Sequence, residues 1–225
     1  LNKKTSESLA KSHHWFDVAS FRHALSRPRI GLILLTSFLT TFAFAQFEST
    51  LSLLTLELGF AARSNFFIFA YIGLILTLSQ GFLVRRLIPI IGEYRMGLAG
   101  IILMVLGLLL IGVAGNSVSI TLLYVVLPIS VIGFSATTPS LQSLLSLNTS
   151  EDQQGGVLGV GQSISALARI LGPLAGIILF KGTENGTIQG SITSPYWVGA
   201  AIMLLGLILM SGLKTQPTQS EDSQA

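Results

Sequence analysis

Two charged residues inside long apolar runs are the first candidates for chemistry. Glu48 lies in the first such run and Arg169 in the fifth. A charge in the bilayer core costs about 2.5–3.5 kcal/mol on insertion scales, so a charged residue there is a functional candidate by default. On a helical projection, one face of the first run carries Glu48 together with small polar residues: Ser37, Thr41, Ser52 and Thr55. Such a stripe should face a protein interior or a water-filled cavity.

Two interpretations of Glu48 stay open. In the functional one, Glu48 binds a proton or a cationic substrate, with Thr41 and Ser52 as further candidates on the same face. In the other, Glu48 lies in the outer membrane interface and is simply hydrated, because it follows the inner end of its run by about 18 residues, roughly 27 Å of helix.

The fifth run combines small, polar and charged residues within one broad sector of a helix. They are Gly155, Gly159, Gln162, Ser165, Ala166, Arg169, Gly172, Pro173 and Gly176. Small residues allow close helix packing, and Pro173 removes a backbone donor and should kink the helix. Arg169 should lie near mid-membrane, where we expect pairing with carbonyl groups of a neighbouring helix. The alternative is direct substrate contact, and Gln162 and Arg169 are therefore candidate binding residues.

A third cluster lies between the second and third apolar runs. It comprises Gly81, Arg85, Arg86, Gly92, Glu93 and Arg95. With Pro89 and Gly92 as turn-formers, we expect a short loop, and a loop this basic should stay on the cytoplasmic side. Gly81 and Gly97 should let the helix ends approach closely. The ordered series predicts a latch between helices, and the alternative is a basic turn that serves only topology.

Composition assigns the chain to the membrane class. Half of its 225 residues are hydrophobic and 10% are charged, with a mean hydropathy of +0.71, whereas soluble domains carry about 25% charged residues. The chain has no Cys, and its three His form no metal-ligand pattern. The spans hold no Ser/His, His/Glu or paired-Asp arrangement. We therefore expect neither an enzyme nor a metal, cofactor or nucleic-acid partner.

The hydrophobic pattern predicts an all-α polytopic membrane protein with six transmembrane helices. We place the spans near 30–54, 65–84, 96–114, 119–145, 156–180 and 195–213. Residues 1–29 should be a cytoplasmic linker, either with a short helix on the membrane surface or disordered, and residues 214–225 a polar tail. With both ends cytoplasmic, ten Lys and Arg lie inside and two, Arg63 and Lys181, lie outside, as the positive-inside rule requires.

The basic cluster carries a family resemblance. The run G-F-L-V-R-R-L-I-P-I-I-G-E-Y-R-M-G, residues 81–97, resembles the cytoplasmic loop between the second and third helices of one half of a major facilitator superfamily transporter. Its G-x-x-x-R-R-x-x-x-x-x-G-E-x-R form is similar to the second half in the drug:proton antiporter branch. Arg85 stands where the first-half loop has its Asp, as the resemblance to a second half implies.

Other segments extend the resemblance over Arg27 to Leu213. The run from Gly161 to Gly176 resembles the fifth helix of a second half, and Phe47-Glu-Ser-Thr50 and Gly133 to Gln142 also look like that branch. The resemblance implies one six-helix half of a twelve-helix bundle that works by alternating access. The partners would be lipid, a small-molecule substrate, protons and an N-terminal half that this chain lacks.

The resulting functional hypothesis is a proton-coupled exporter of small amphipathic compounds in the plasma membrane. The alternative is a structural or accessory six-helix membrane subunit without transport activity of its own. Kinked, glycine-lined spans with polar faces favour the transporter, because a purely structural bundle could be uniformly apolar.

Overall fold

The computed structural model describes residues 27–117, 119–183 and 186–213. These residues form six helices that are long and apolar enough to cross a membrane, so the predicted all-α fold is confirmed. The predicted surface helix and polar tail lie outside the described residues. The spans, first to sixth, are Pro28–Glu57, Asn65–Ile91, Glu93–Asn116, Thr121–Leu147, Gln154–Lys181 and Ser194–Gly212.

Helix formation in these runs follows from the membrane environment, because a helix satisfies its backbone hydrogen bonds internally. Local signals set several of the ends. Pro28 begins the first span and Pro195 occupies the first turn of the sixth, where a missing N–H costs nothing. The Ser119 hydroxyl accepts a hydrogen bond from the Leu122 N–H at 3.3 Å and caps the fourth span. Gly182, at φ +82°, ends the fifth.

The second span departs from the sequence prediction. The helix that contains it begins three residues before the span and has three parts: an α-helix Ala62–Leu78, a π-helical segment Ser79–Val84 and a further α-helix Arg85–Ile91. The predicted loop is therefore wrong over residues 85–91, because Pro89 lies within a helix. Pro89 lacks the N–H that would bond to the Arg85 carbonyl, but a kinked helix tolerates this. The chain reverses at Gly92 alone, where φ is +81°.

The third and fourth spans form the closest helix contact. A Cβ atom added at Gly133 would lie 2.6 Å from the Met104 nitrogen, and one at Gly107 would lie 2.6 Å from the Ser130 Cα. The two backbones thus touch where glycine provides the space. We call this pair of helices the third–fourth contact. The sixth span packs against the third and also against the first, where the buried Gln46 amide donates to the Pro195 carbonyl at 2.6 Å.

The second and fifth spans lie at the outside of the bundle. Only 22% of the most apolar stretch of each is buried, compared with 61% for the first span. Large apolar side chains on these two helices are exposed, among them Phe66, Phe82, Ile170 and Leu174. In a membrane this surface must meet either lipid or further protein.

Candidate functional site

A cavity of about 610 Å³ lies between the first, second, fourth and fifth spans. It brings together three residues that the sequence proposed for binding: Thr41, Glu48 and Arg169. The other lining residues are Phe44, Ala45, Ser49, Leu76, Gln80, Phe134 and Pro173. The third and sixth spans contribute none of the lining and pack behind the helices that do.

Two glycines of the fifth span hold it against the first. A Cβ at Gly172 would lie 2.8 Å from the Phe42 carbonyl oxygen, and one at Gly176 would lie 2.9 Å from the Thr50 methyl carbon. Because the residue numbers of the contacting groups increase in the same direction along both helices, the two spans run parallel. We call this pair the first–fifth contact.

The register of the first–fifth contact sets the depth of the two charges. Gly172 faces Phe42 to Gln46 and Gly176 faces Gln46 to Thr50, so Arg169 lies near the level of Thr41. Glu48 is then about two helical turns further along the axis, roughly 10 Å at 1.5 Å per residue. The cavity is therefore acidic at one depth and basic at another.

Neither charge is neutralised by the other. Both side chains are exposed, and within the described residues no ion pair or hydrogen bond involves either of them. The expected pairing of Arg169 with carbonyl groups of a neighbouring helix is therefore absent from this structure. The reason is geometric, because the fifth span touches the first through Gly172 and Gly176, while Arg169 lines the cavity beside that contact.

An aromatic pair forms one wall of the cavity. The rings of Phe44 and Phe134 are stacked with centroids 3.7 Å apart and planes within 9°. Sequence reasoning missed these two residues, and also Ser49 and Gln80. Phe44 could have been found from its spacing, because it precedes Glu48 by one helical turn. Phe134 and Gln80 come from other helices, and no signal in the first span points to them.

Gln162 lies in a neighbouring pocket. A space of about 20 Å³, enough for one water molecule, is lined by polar groups of three spans, including Ser37, Thr41, Gln142, Gln162 and Ser165. Thr41 borders both this pocket and the larger cavity. The polar face of the first span thus continues past the cavity toward the start of the helix.

Ser52, a binding candidate from the sequence, is hydrogen-bonded to the second span. The Asn65 amide donates to the Ser52 hydroxyl at 3.1 Å and to the Ser52 carbonyl at 3.3 Å, and the Thr55 hydroxyl donates to the Asn65 carbonyl oxygen. This cluster joins the first span to the beginning of the second. Ser52 lies one turn beyond Glu48 and does not line the cavity.

The basic segment lies at the opposite end of the second span from this cluster. Arg85, Arg86 and Arg95 are exposed, and Glu93 accepts a hydrogen bond from the Ser143 hydroxyl at 3.2 Å, which ties the third span to the fourth. A Cβ at Gly97 would lie 3.0 Å from the Met210 methyl carbon, as close packing requires. At Gly81 the predicted close approach is wrong, because among the described residues no atom beyond its chain neighbours and its own helical backbone lies within 4 Å of its Cβ position.

Comparison with known proteins agrees with this architecture. The family model of the Major Facilitator Superfamily matches residues 2–173. The chain belongs to this superfamily. The superfamily is one of membrane transporters, so the family recognised in the basic cluster is confirmed.

Two curated relatives share this assignment. Major facilitator superfamily domain-containing protein 10 of Mus musculus is 29% identical over 196 residues, which cover 86% of this chain and 40% of the mouse protein. The Homo sapiens protein of the same name is 36% identical over 152 residues, which cover 66% of this chain and 31% of the human protein. This major facilitator chain therefore spans two fifths or less of these relatives. No solved structure matches it.

Proposed function

We propose that this chain is the C-terminal half of a secondary transporter that exports small amphipathic compounds in exchange for protons. The observation that carries the proposal is the cavity that holds Glu48 and Arg169 among four membrane spans. Two unpaired charges at membrane depth cost free energy that a purely structural bundle could avoid. A substrate site can use both charges to bind its ligand.

The proposed mechanism is alternating access. A proton and a substrate would compete for Glu48, and two six-helix halves would reorient around the shared cavity. The basic cluster, with its G-x-x-x-R-R and G-E-x-R pattern, supports a place in the drug:proton antiporter branch. A guanidinium group serves in proteins as a permanent cation, so Arg169 would hold an anionic group rather than carry the proton.

A missing N-terminal half is part of the proposal. The exposed side of the fifth span carries Gln162, Ser163 and Arg169 beside its apolar residues, and lipid is a poor solvent for these groups. A second bundle packed on the second and fifth spans would cover them and close the cavity. The coverage of the two relatives, 40% and 31%, is compatible with this arrangement.

The orientation belongs to the same proposal, with both ends of the chain cytoplasmic and the protein in the plasma membrane. The ten-to-two distribution of Lys and Arg supports it. Because the sequence has no Cys, single labels can be introduced. Ser117→Cys and Ser191→Cys should react with an impermeant maleimide added outside intact cells, and Ile90→Cys should react only after permeabilisation. External labelling of Ile90→Cys would reverse the orientation.

The basic segment would act as a conformational latch. Arg85, Arg86 and Arg95 lie exposed near helix ends, where guanidinium groups can bond carbonyls or carboxylates of another helix in one conformation and release them in the other. Glu93 already ties this end of the third span to Ser143 of the fourth.

Flux in proteoliposomes tests the transport proposal. The complete protein, purified and reconstituted, should move fluorescent amphipathic compounds against a concentration gradient when a pH gradient is imposed. A protonophore should abolish the accumulation, and protein-free liposomes serve as the control. If folded protein catalyses no flux of any compound with the pH gradient in either direction, the transporter proposal fails and the accessory-subunit hypothesis replaces it.

A further inference from the structure

We propose that the cavity selects zwitterionic compounds in which an ammonium and a carboxylate are separated by an apolar ring. The inference rests on the proposed transport function and names the substrate class of the same site. It comes from three observations: two opposite charges that do not pair, their separation along the helix axis, and the aromatic wall beside them.

The cavity is lined by one acidic and one basic residue. Glu48 and Arg169 are the only charged residues that line the cavity in the described part of the chain, and they have opposite signs. Once the proposed second bundle closes the cavity, a compound with a single charge would satisfy one of them and leave the other without a partner. An unpaired charge in such a site is costly, because its hydration is lost without compensation. A zwitterion compensates both residues at once.

The separation decides what kind of zwitterion fits. The backbone positions of Glu48 and Arg169 differ in depth by about two helical turns, roughly 10 Å along the axis. The two side chains do not close this gap, since no ion pair forms between them among the described residues. An α-amino acid places its two charges on one carbon atom and cannot span the gap. Charges at opposite ends of a ring can.

The wall between the charges is apolar and flat. The stacked rings of Phe44 and Phe134 lie beside Leu76 and Pro173, so the middle of a substrate meets aromatic and aliphatic groups. The volume of about 610 Å³ is within the usual range for small-molecule sites. It accommodates a ring with two charged substituents.

The substrate class also explains exchange for protons. A substrate ammonium group on Glu48 and a proton on Glu48 exclude each other, because both neutralise the same carboxylate. The Arg169 guanidinium binds the substrate carboxylate whether or not Glu48 holds a proton. Proton binding therefore weakens the hold on one end of the substrate only.

Three probes with the same ring test the inference by binding to the complete purified protein. They are 4-(aminomethyl)benzoate, which carries both charges, 4-methylbenzoate, which carries the negative one, and 4-methylbenzylamine, which carries the positive one. Titration calorimetry should show the zwitterion binding at least about tenfold more tightly than either singly charged probe, since a charge-assisted hydrogen bond contributes that much.

Substitutions test which of the two residues binds each end of the zwitterion. With Glu48→Gln the advantage of the zwitterion over 4-methylbenzoate should disappear, and with Arg169→Gln its advantage over 4-methylbenzylamine should disappear. Glu57→Gln and Arg63→Gln change exposed charges outside the cavity and should leave the ranking unchanged. Size-exclusion profiles and melting temperatures identify any variant that fails to fold, and Arg169→Lys keeps the charge as a second test.

Equal affinity for the zwitterion and one singly charged probe would overturn the inference, and so would the absence of binding by all three probes. Neither result would affect the transport proposal, which stands or falls on pH-driven flux of amphipathic compounds. Loss of that flux with retained zwitterion preference would instead leave a binding site without transport.

Discussion

The third–fourth and first–fifth contacts both depend on glycine, yet only one of them borders a cavity. In the third–fourth contact, Gly107 and Gly133 face the backbone of the opposite helix. In the first–fifth contact, Gly172 and Gly176 touch the first span, while Arg169, one turn earlier, faces the cavity instead. One pair is closed around its glycines, and the other is open on one side.

This difference indicates a division of labour within the bundle. A backbone-to-backbone contact between glycines tolerates little displacement, because neighbouring atoms are already at van der Waals distance. The first–fifth contact is bordered by empty space and by exposed charges, so the fifth span has room to shift along the first. We expect the third–fourth contact to determine stability and the first–fifth contact to determine transport.

The largest effect is expected for Gly107→Ala. The added Cβ would lie 2.6 Å from the Ser130 Cα, and two helices must separate to admit it. The free energy of unfolding should fall by about 3 kcal/mol, as in severe overpacking, with a loss of folded protein on size-exclusion chromatography. The control is Gly206→Ala, where no atom of the described residues outside its own helical backbone lies within 4 Å of the Cβ position. An equal loss for both variants would contradict the assignment.

A smaller effect of a different kind is expected for Gly172→Ala. Its Cβ would lie 2.8 Å from the Phe42 carbonyl oxygen and would push the fifth span away from the first beside the cavity. Flux should fall about tenfold, which corresponds to about 1.4 kcal/mol, while the melting temperature falls less than for Gly107→Ala, because the open side of the contact lets the fifth span move. Gly155→Ala, in open space on the same helix, is the control. A large drop in melting temperature with unchanged flux would erase the distinction between the two contacts.

The smallest effect is expected where a glycine has no packing neighbour. Gly92 has φ +81° and ψ 157° and no atom within 4 Å of its Cβ position, so only the backbone requires glycine. Gly92→Ala should cost about 1 kcal/mol, at the low end for such backbone conformations, and should slow turnover more than it weakens binding. Gly81→Ala, in a helical segment with open space, should be silent. Equal effects at Gly81 and Gly92 would remove the backbone argument.

Much of the fold could be predicted from the sequence, because membrane spans are local features of the chain. Twenty apolar residues form a helix wherever they lie, and each of the six spans was readable from its own run. The helix over residues 85–91 could not be predicted from its sequence. Pro89 and the two arginines before it predicted a loop, but the preceding helix continues through them to Ile91.

The candidate site was predictable only in part. The polar face of the first span predicted Thr41 and Glu48, and the charge of Arg169 within an apolar run predicted Arg169. Each of these signals lies within a single helix, which is all that a helical projection uses. Phe134 and Gln80 enter the cavity from other spans, and only the three-dimensional packing brings them there. Ser52 has the correct spacing, but Asn65 of the second span engages it.

The proposed role of Glu48, to couple protons to transport, can be tested directly. Glu48→Gln keeps the shape of the side chain and removes its charge, and Glu57→Gln makes the same change at the exposed end of the same helix. Both variants are prepared in the complete protein, and pH-driven flux and energy-independent substrate exchange are measured in proteoliposomes. We predict that Glu48→Gln loses pH-driven flux and keeps measurable exchange, while Glu57→Gln keeps both. Wild-type pH-driven flux in Glu48→Gln would contradict this prediction.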